Sequence, residues 1–222
     1  DKCRLQESFR TFVANYDKVN IHVEPVCYST DDTAELAEIF NGNEALIKKY
    51  AEKLSISFER VEYAKNNFIR VVKVMKAFVL NDSVKSFLCL NNKLPQENKG
   101  LFDIKLLEEF ADAIIKLYGI KGLKGKDLLY SINSEDYDAK RAEFIQRLSK
   151  GEKLFVISSY NTVGAGQNLQ YKAPGNATIV AVNDYDRGDM EKDFDCIYLE
   201  KPTNLLVNVD SKKGIEAENL IR

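Results

Sequence analysis

The chain has 222 residues, 45% of them hydrophobic and 30% charged, with a formal net charge of −2. That is enough apolar material for a real core, so the sequence describes a globular protein of one large or two small domains. Its longest apolar runs reach about five residues, against the roughly 20 that a bilayer-spanning helix needs, and a membrane span is excluded.

The chain opens on Asp1-Lys2-Cys3-Arg4, with neither Met nor an apolar signal core, and is expected to be an excised or processed piece. Residues Asn20 to Tyr28 alternate in part, and Pro25 argues for an edge strand or an extended linker. Ser29 to Asp32 supply N-cap candidates ahead of Ala34-Glu35-Leu36-Ala37, which predicts a short helix broken at Gly42. Two further helices are predicted, over Glu44 to Leu54 and Phe58 to Leu80. In the second, Val61, Phe68, Val72, Met75 and Val79 recur at spacings of three, four and seven.

After Asn81-Asp82 the pattern changes. Short apolar runs at Ser86 to Leu90, Leu128 to Ile132, Leu154 to Ile157, Thr178 to Val182 and Cys196 to Leu199 read as strands buried on both faces of a parallel sheet. Helical patterns at Ile104 to Leu117 and Ala139 to Leu148 separate the first three. Strand, helix, strand, helix, strand predicts an α/β fold with a doubly wound, mostly parallel sheet, preceded by a helical segment. The glycines of Gly119-Ile120-Lys121-Gly122-Leu123-Lys124-Gly125 suit left-handed caps after the first of these helices.

Cysteines 3, 27, 89 and 196 form no Cys-x-x-Cys pair and His22 is the sole histidine, so neither a zinc site nor a Ser/His/Asp or Cys/His triad is expected. Cys89 and Cys196 lie within apolar runs, as buried reduced thiols do, which fits a cytoplasmic setting. Charge is uneven. Glu44 to Lys76 carries eight Lys/Arg against four Glu, while Asp184 to Asp195 carries six Asp/Glu against Arg187 and Lys192. The plain reading is a solvated face and a solvated loop.

In sheets of this kind ligands bind beyond the carboxyl ends of the strands, and residues 158–170 (SSYNTVGAGQNLQ) leave the third strand there. No Lys follows the glycines, so this is not a Walker A loop, and Gly-x-Gly alone reads as a tight turn. Its company is more informative: Ser158, Ser159, Tyr160, Asn161, Thr162, Gln167, Asn168 and Gln170 are uncharged hydrogen-bonding residues. Hydroxyls, amides and glycine-exposed N–H groups contact phosphate oxygens without a fixed charge. Ser158 reads more simply as a strand-end hydroxyl capping backbone, and Tyr160 as packing or as a base-stacking ring.

Leu154 to Leu169 resembles motif V of superfamily-two helicases and translocases, closest to the chromatin-remodelling type: an apolar strand, Ser159, then Gly164-Ala165-Gly166 and Gln167-Asn168-Leu169. The resemblance covers about residues 83–210, with Ser86 to Leu90 in the place of motif IV and Cys196 to Asn204 similar to the strand and Pro-containing turn before motif VI. It implies a RecA-like second lobe over 83–222, truncated before motif VI, with 1–82 a mostly helical linker or insertion. It also places Ser159, Thr162 and Tyr160 against nucleic acid, and Gly164, Gly166, Gln167 and Asn168 at the nucleotide cleft.

Neither the Gln-x-x-Gly-Arg-x-x-Arg pattern of motif VI, nor a Walker A loop, nor an Asp-Glu-x-His box occurs in the chain. The resemblance therefore implies a lobe whose ATP and Mg²⁺ belong to a longer parent enzyme, with no catalytic or metal-binding residue and no tightly held cofactor here. The implied partners are nucleic acid, DNA ahead of RNA, and the first RecA-like lobe of the same parent. Lysines such as Lys121, Lys124 and Lys126 are expected to add charge contacts. The alternative is a non-catalytic nucleic-acid or protein-binding module on the same scaffold, docking through the basic helices 44–76.

Overall fold

The structure is a computed structural model that describes residues 21–29, 31–59, 61–94, 102–163, 169–175 and 191–201. Three helices come first. α1 (Asp32–Ile39) starts where the Asp31 carboxylate accepts the N–H groups of Thr33 and Ala34, and ends where Asn41 and Gly42 turn left-handed at φ 51° and 73°. α2 (Glu44–Ser57) is capped by Asn43. α3 (Glu62–Leu80) begins four residues later than its apolar spacing predicts, because Phe58 closes α2 and the chain turns before Val61. Residues 21–29 form neither helix nor strand, which leaves the linker reading of that stretch.

The sheet elements follow: β1 (Ser86–Asn91), α4 (Ile104–Leu117), a single turn α5 (Gly125–Leu128), β2 (Leu129–Ser131), α6 (Tyr137–Ser149), β3 (Leu154–Ser159), β4 (Tyr171–Lys172), β5 (Glu191–Lys192) and β6 (Cys196–Leu199). The main sheet has the order β2-β3-β1-β6 and every pairing in it is parallel. β4 and β5 make a separate antiparallel ribbon that the sequence pattern does not announce. The run Thr178 to Val182 lies outside the described residues. The architecture is α/β, a mostly parallel sheet flanked by helices, as the alternating pattern predicts.

Alternate side chains of β1 and β3 meet different layers, whereas β6, at the end of the sheet, buries Tyr198 on one face and leaves Ile197 and Leu199 exposed on the other, so it is not covered on both faces as its apolar run predicts. Phe87, Cys89, Phe155 and Ile157 pack with α1 to α5, whereas Leu88, Leu90, Leu154 and Val156 pack with Phe144 and Leu148 of α6 and with Leu169 and Tyr171. The helices ahead of residue 82 are continuous with the first layer. Phe78 of α3 stands 5.6 Å from Phe87 and 5.8 Å from Phe155, and Phe110 of α4 stacks on Phe40 at 5.7 Å. None of the described helices is long and apolar enough to cross a membrane.

The winding parts the strand exits between the two faces of the sheet. The connection from β1 to β2 runs through α4 on one face, while the chain leaving β3 places Leu169 and Tyr171 on the other. Neighbouring strands whose exits part to opposite faces form a topological switch point, here between the carboxyl ends of β1 and β3.

Candidate functional site at the carboxyl edge

β3 ends because Ser159 turns the chain. Its carbonyl accepts the N–H groups of Thr162 and Val163, both at 3.0 Å, and its Oγ accepts the Thr162 N–H at 3.2 Å and shares a 3.0 Å hydrogen bond with Thr162 Oγ1. Ser159 is buried, so its hydroxyl holds the turn from within. Ser158 donates to the Ile132 carbonyl at 3.2 Å, the backbone-capping role its position suggests. Tyr160 donates its N–H to the Asn91 carbonyl at 3.3 Å and its hydroxyl to the Glu200 carbonyl at 2.6 Å, while its ring packs against the α6 layer. Ser159, Tyr160 and Thr162 thus stand together at the switch point. Gly164, Gly166, Gln167 and Asn168 lie outside the described residues.

Three polar residues occupy the same edge on the α3 side of the sheet: Ser159 after Ile157, Asn91 after Cys89, and Glu200 after Tyr198. Glu200 is 2% exposed. Its N–H continues the ladder to the Leu90 carbonyl at 3.0 Å, Oε1 accepts the Tyr63 hydroxyl at 2.8 Å, and Oε2 accepts the Asn92 N–H at 2.8 Å. Burial raises the Tyr63 phenol above its ordinary range, and the Glu200 carboxylate raises it further. The Tyr160 phenol is raised by burial first and by Glu200 second. Burial likewise pushes up the Cys89 thiol, which is inert in this setting. The Asn91 Nδ2 is buried without a hydrogen-bond partner.

Asn91, Asn92, Tyr63 and Glu200 are absent from the sequence-derived site. Asn91 and Glu200 carried a signal, since each is the first polar residue after an apolar parallel strand. Tyr63 carried none, because a tyrosine in a helix's first turn looks like any surface aromatic.

Among the described residues the exposed Lys93 and Lys201, which follow β1 and β6, bring positive charge to this edge, and Arg70 of α3 lies near enough to act on the Tyr63 and Tyr198 phenols. Lys121, Lys124 and Lys126 do not contribute: they precede β2 and sit at the opposite, amino edge of the sheet. The basic helices are also less available than their composition suggests. Lys53 pairs with Glu109, Lys65 with Asp32 and Glu62, and Lys73 with Glu35 and Glu38. Among the described residues no group of three or more His, Cys, Asp or Glu side chains could hold a metal ion.

Compared with models of protein families the chain matches none, and it matches no curated protein.

Proposed function

We propose that the chain is the second RecA-like lobe of a superfamily-two helicase or translocase, in which the loop leaving β3 contacts the nucleic-acid backbone and couples it to ATP hydrolysis in a longer parent. The observation that carries this reading is the coincidence of motif and place. The segment that resembles motif V leaves β3 at the switch point, where parallel α/β sheets bind their ligands.

The chemistry suits a moving contact. At the exit of β3 the half-buried Thr162 carries a neutral hydroxyl, held by the buried Ser159 that shapes the turn, and Lys93 and Lys201 are exposed cations that follow the neighbouring strands. A hydroxyl releases a phosphate more readily than an ammonium does, because no ion pair has to be broken. Nucleotide chemistry in this reading belongs to the parent's first lobe, and DNA is the favoured substrate.

Titration of a labelled oligonucleotide at several salt concentrations tests it. The chain should bind weakly, with a slope of log affinity against log salt of about −2 to −4 for two to four phosphates. Lys93→Ala with Lys201→Ala should flatten the slope by about 2, whereas the same pair of changes at Lys121 and Lys124 should leave it alone. No binding at low salt, or binding lost through Lys121 and Lys124 instead, would overturn the proposal.

A further inference from the structure

We infer that Glu200 is the positioning residue of this edge, and that through it the first turn of α3 sets the loop leaving β3. This rests on the nucleic-acid reading of that loop.

Glu200 contacts three elements at once, beside the Asn92 amide that donates to the Tyr63 hydroxyl at 3.4 Å and the Tyr160 N–H that donates to the Asn91 carbonyl. Its carboxylate takes the Tyr63 hydroxyl from α3 and the Asn92 N–H from the exit of β1, and its carbonyl takes the Tyr160 hydroxyl from the exit of β3. Asn92 closes the ring by donating its amide to the Lys201 carbonyl at 2.8 Å. Bonds to an occluded carboxylate are charge-assisted, and the two on the Glu200 carboxylate are both 2.8 Å long.

Packing does not explain Tyr63. The residue is 52% exposed, and α3 has no side-chain cap at Val61, so beside the buried Ala64 the Tyr63 hydroxyl, donating to Glu200 and accepting from the Asn92 amide, is the polar tie of the helix's first turn to the sheet. The other end of α3 is tied separately. Lys153 donates to the carbonyls of Val79 at 3.4 Å and Asn81 at 2.6 Å, and its ammonium lies 4.7 Å from the centre of the Phe78 ring. α3 therefore spans the sheet from edge to edge with a fastening at each end. The shortest polar route from the exposed Tyr63 to the Tyr160 hydroxyl is two hydrogen bonds, both on Glu200.

Tyr63→Phe keeps the ring and removes the hydroxyl, and Tyr160→Phe does the same at the far side. Amide hydrogen exchange is measured at Tyr160, Thr162 and Val163, alongside affinity for a labelled oligonucleotide at low salt. Tyr63→Phe should speed exchange at those three amides about tenfold and weaken affinity about threefold or more, with the thermal midpoint nearly unchanged. The double variant should exchange no faster than the faster single one, because both changes cut one linkage. Tyr118→Phe, at the residue that caps the end of α4, serves as the control and should do nothing to these amides.

Unaltered exchange in Tyr63→Phe, or effects that multiply in the double variant, would overturn the inference. So would faster exchange with unchanged affinity. Should the unmodified chain bind no oligonucleotide, the nucleic-acid reading fails and the exchange data still decide whether Glu200 links α3 to the loop.

Discussion

The Asp195 carboxylate accepts the N–H groups of Lys85 and Ser86 at 2.9 and 3.0 Å, and the Asp195 N–H donates to the Ser86 hydroxyl at 2.9 Å. The residue that introduces β6 thereby closes the amino end of β1, with the Lys192 ammonium on its other oxygen. Burial works to raise the Asp195 carboxyl, but Lys192 and the two N–H groups more than offset it and hold it below the usual range. A depressed folded value stabilises the protein above the unfolded aspartate range, near ~3.9, and that stability is lost as pH falls through the lower folded value. Asp195→Ala should cost about 1–3 kcal/mol at neutral pH, the cost of orphaned buried donors. Thermal melts from about pH 6 to about pH 2 should show the gap between Asp195→Asn and the unmodified chain closing toward the acid end.

Glu35 obeys the same sign for a different reason. Burial raises it, while Lys73 at 2.8 Å and the Ser29 N–H at 2.6 Å lower it by more. Lys73→Met leaves that carboxylate buried without its cation and should cost about 3 kcal/mol. The variant should also begin to lose stability at a higher pH than the unmodified chain. Glu35→Gln added to Lys73→Met should recover much of the loss, which chemical denaturation at pH 7 would measure.

Phe78 joins α3 to β1 and β3 through the Phe87 and Phe155 rings, which stack on each other at 4.8 Å. Phe78→Ala should cost about 3–5 kcal/mol. Because the helices of residues 32–80 and the sheet share one core, the loss should appear as one transition moved to lower temperature. Separate melting of helical and sheet signals would contradict that shared core.

Two glycines of the segment after α4 should fail for opposite reasons. A Cβ on Gly125 would stand 2.4 Å from the Glu108 carbonyl oxygen, so Gly125→Ala forces α5 off α4 and should cost about 1–3 kcal/mol. Gly122 has open space around it but φ of 77°, so Gly122→Ala should cost about 1–2 kcal/mol through backbone strain alone. Only the first should alter amide exchange in α4, since only the first disturbs packing.

Much of the sheet is legible in the sequence because burial on both faces leaves a mark that needs no partner to be seen. Phe87-Leu88-Cys89-Leu90 and Leu154-Phe155-Val156-Ile157 are apolar at every position, as strands covered on both faces must be. The Leu128 to Ile132 run is the instructive contrast: Leu128 closes α5 and the strand proper is Leu129–Ser131, since a buried turn and a buried strand use the same residues. The acidic loop shows the limit from the other side. Six acidic residues read as a solvated charge run, yet Asp195 is a structural acceptor, a role set by Lys85 and Ser86 more than a hundred positions away.

The candidate site divides the same way. Ser159 and Tyr160 could be named because their position after an apolar strand is local information. Glu200 could not be joined to Tyr63, since their contact crosses 137 positions of sequence and belongs to the fold as a whole. The lysines show the error that follows: Lys121, Lys124 and Lys126 are near in composition and at the wrong end of the sheet.

The order β2-β3-β1-β6 also sets a timetable. β1 is an inner strand of the sheet, yet it is the first made, and its two neighbours come from much later in the chain, with Asp195 109 positions beyond Ser86. At synthesis rates of about 5–20 residues per second, an interval of that length takes on the order of 5–20 s. Until β3 emerges Phe87-Leu88-Cys89-Leu90 has both edges unpaired, and until β6 emerges one of them stays so, a short apolar template open to any other nascent strand. The helices of residues 32–80 emerge earlier and can cover one face of it, so their place ahead of the sheet shields half of a strand that must wait for its partners.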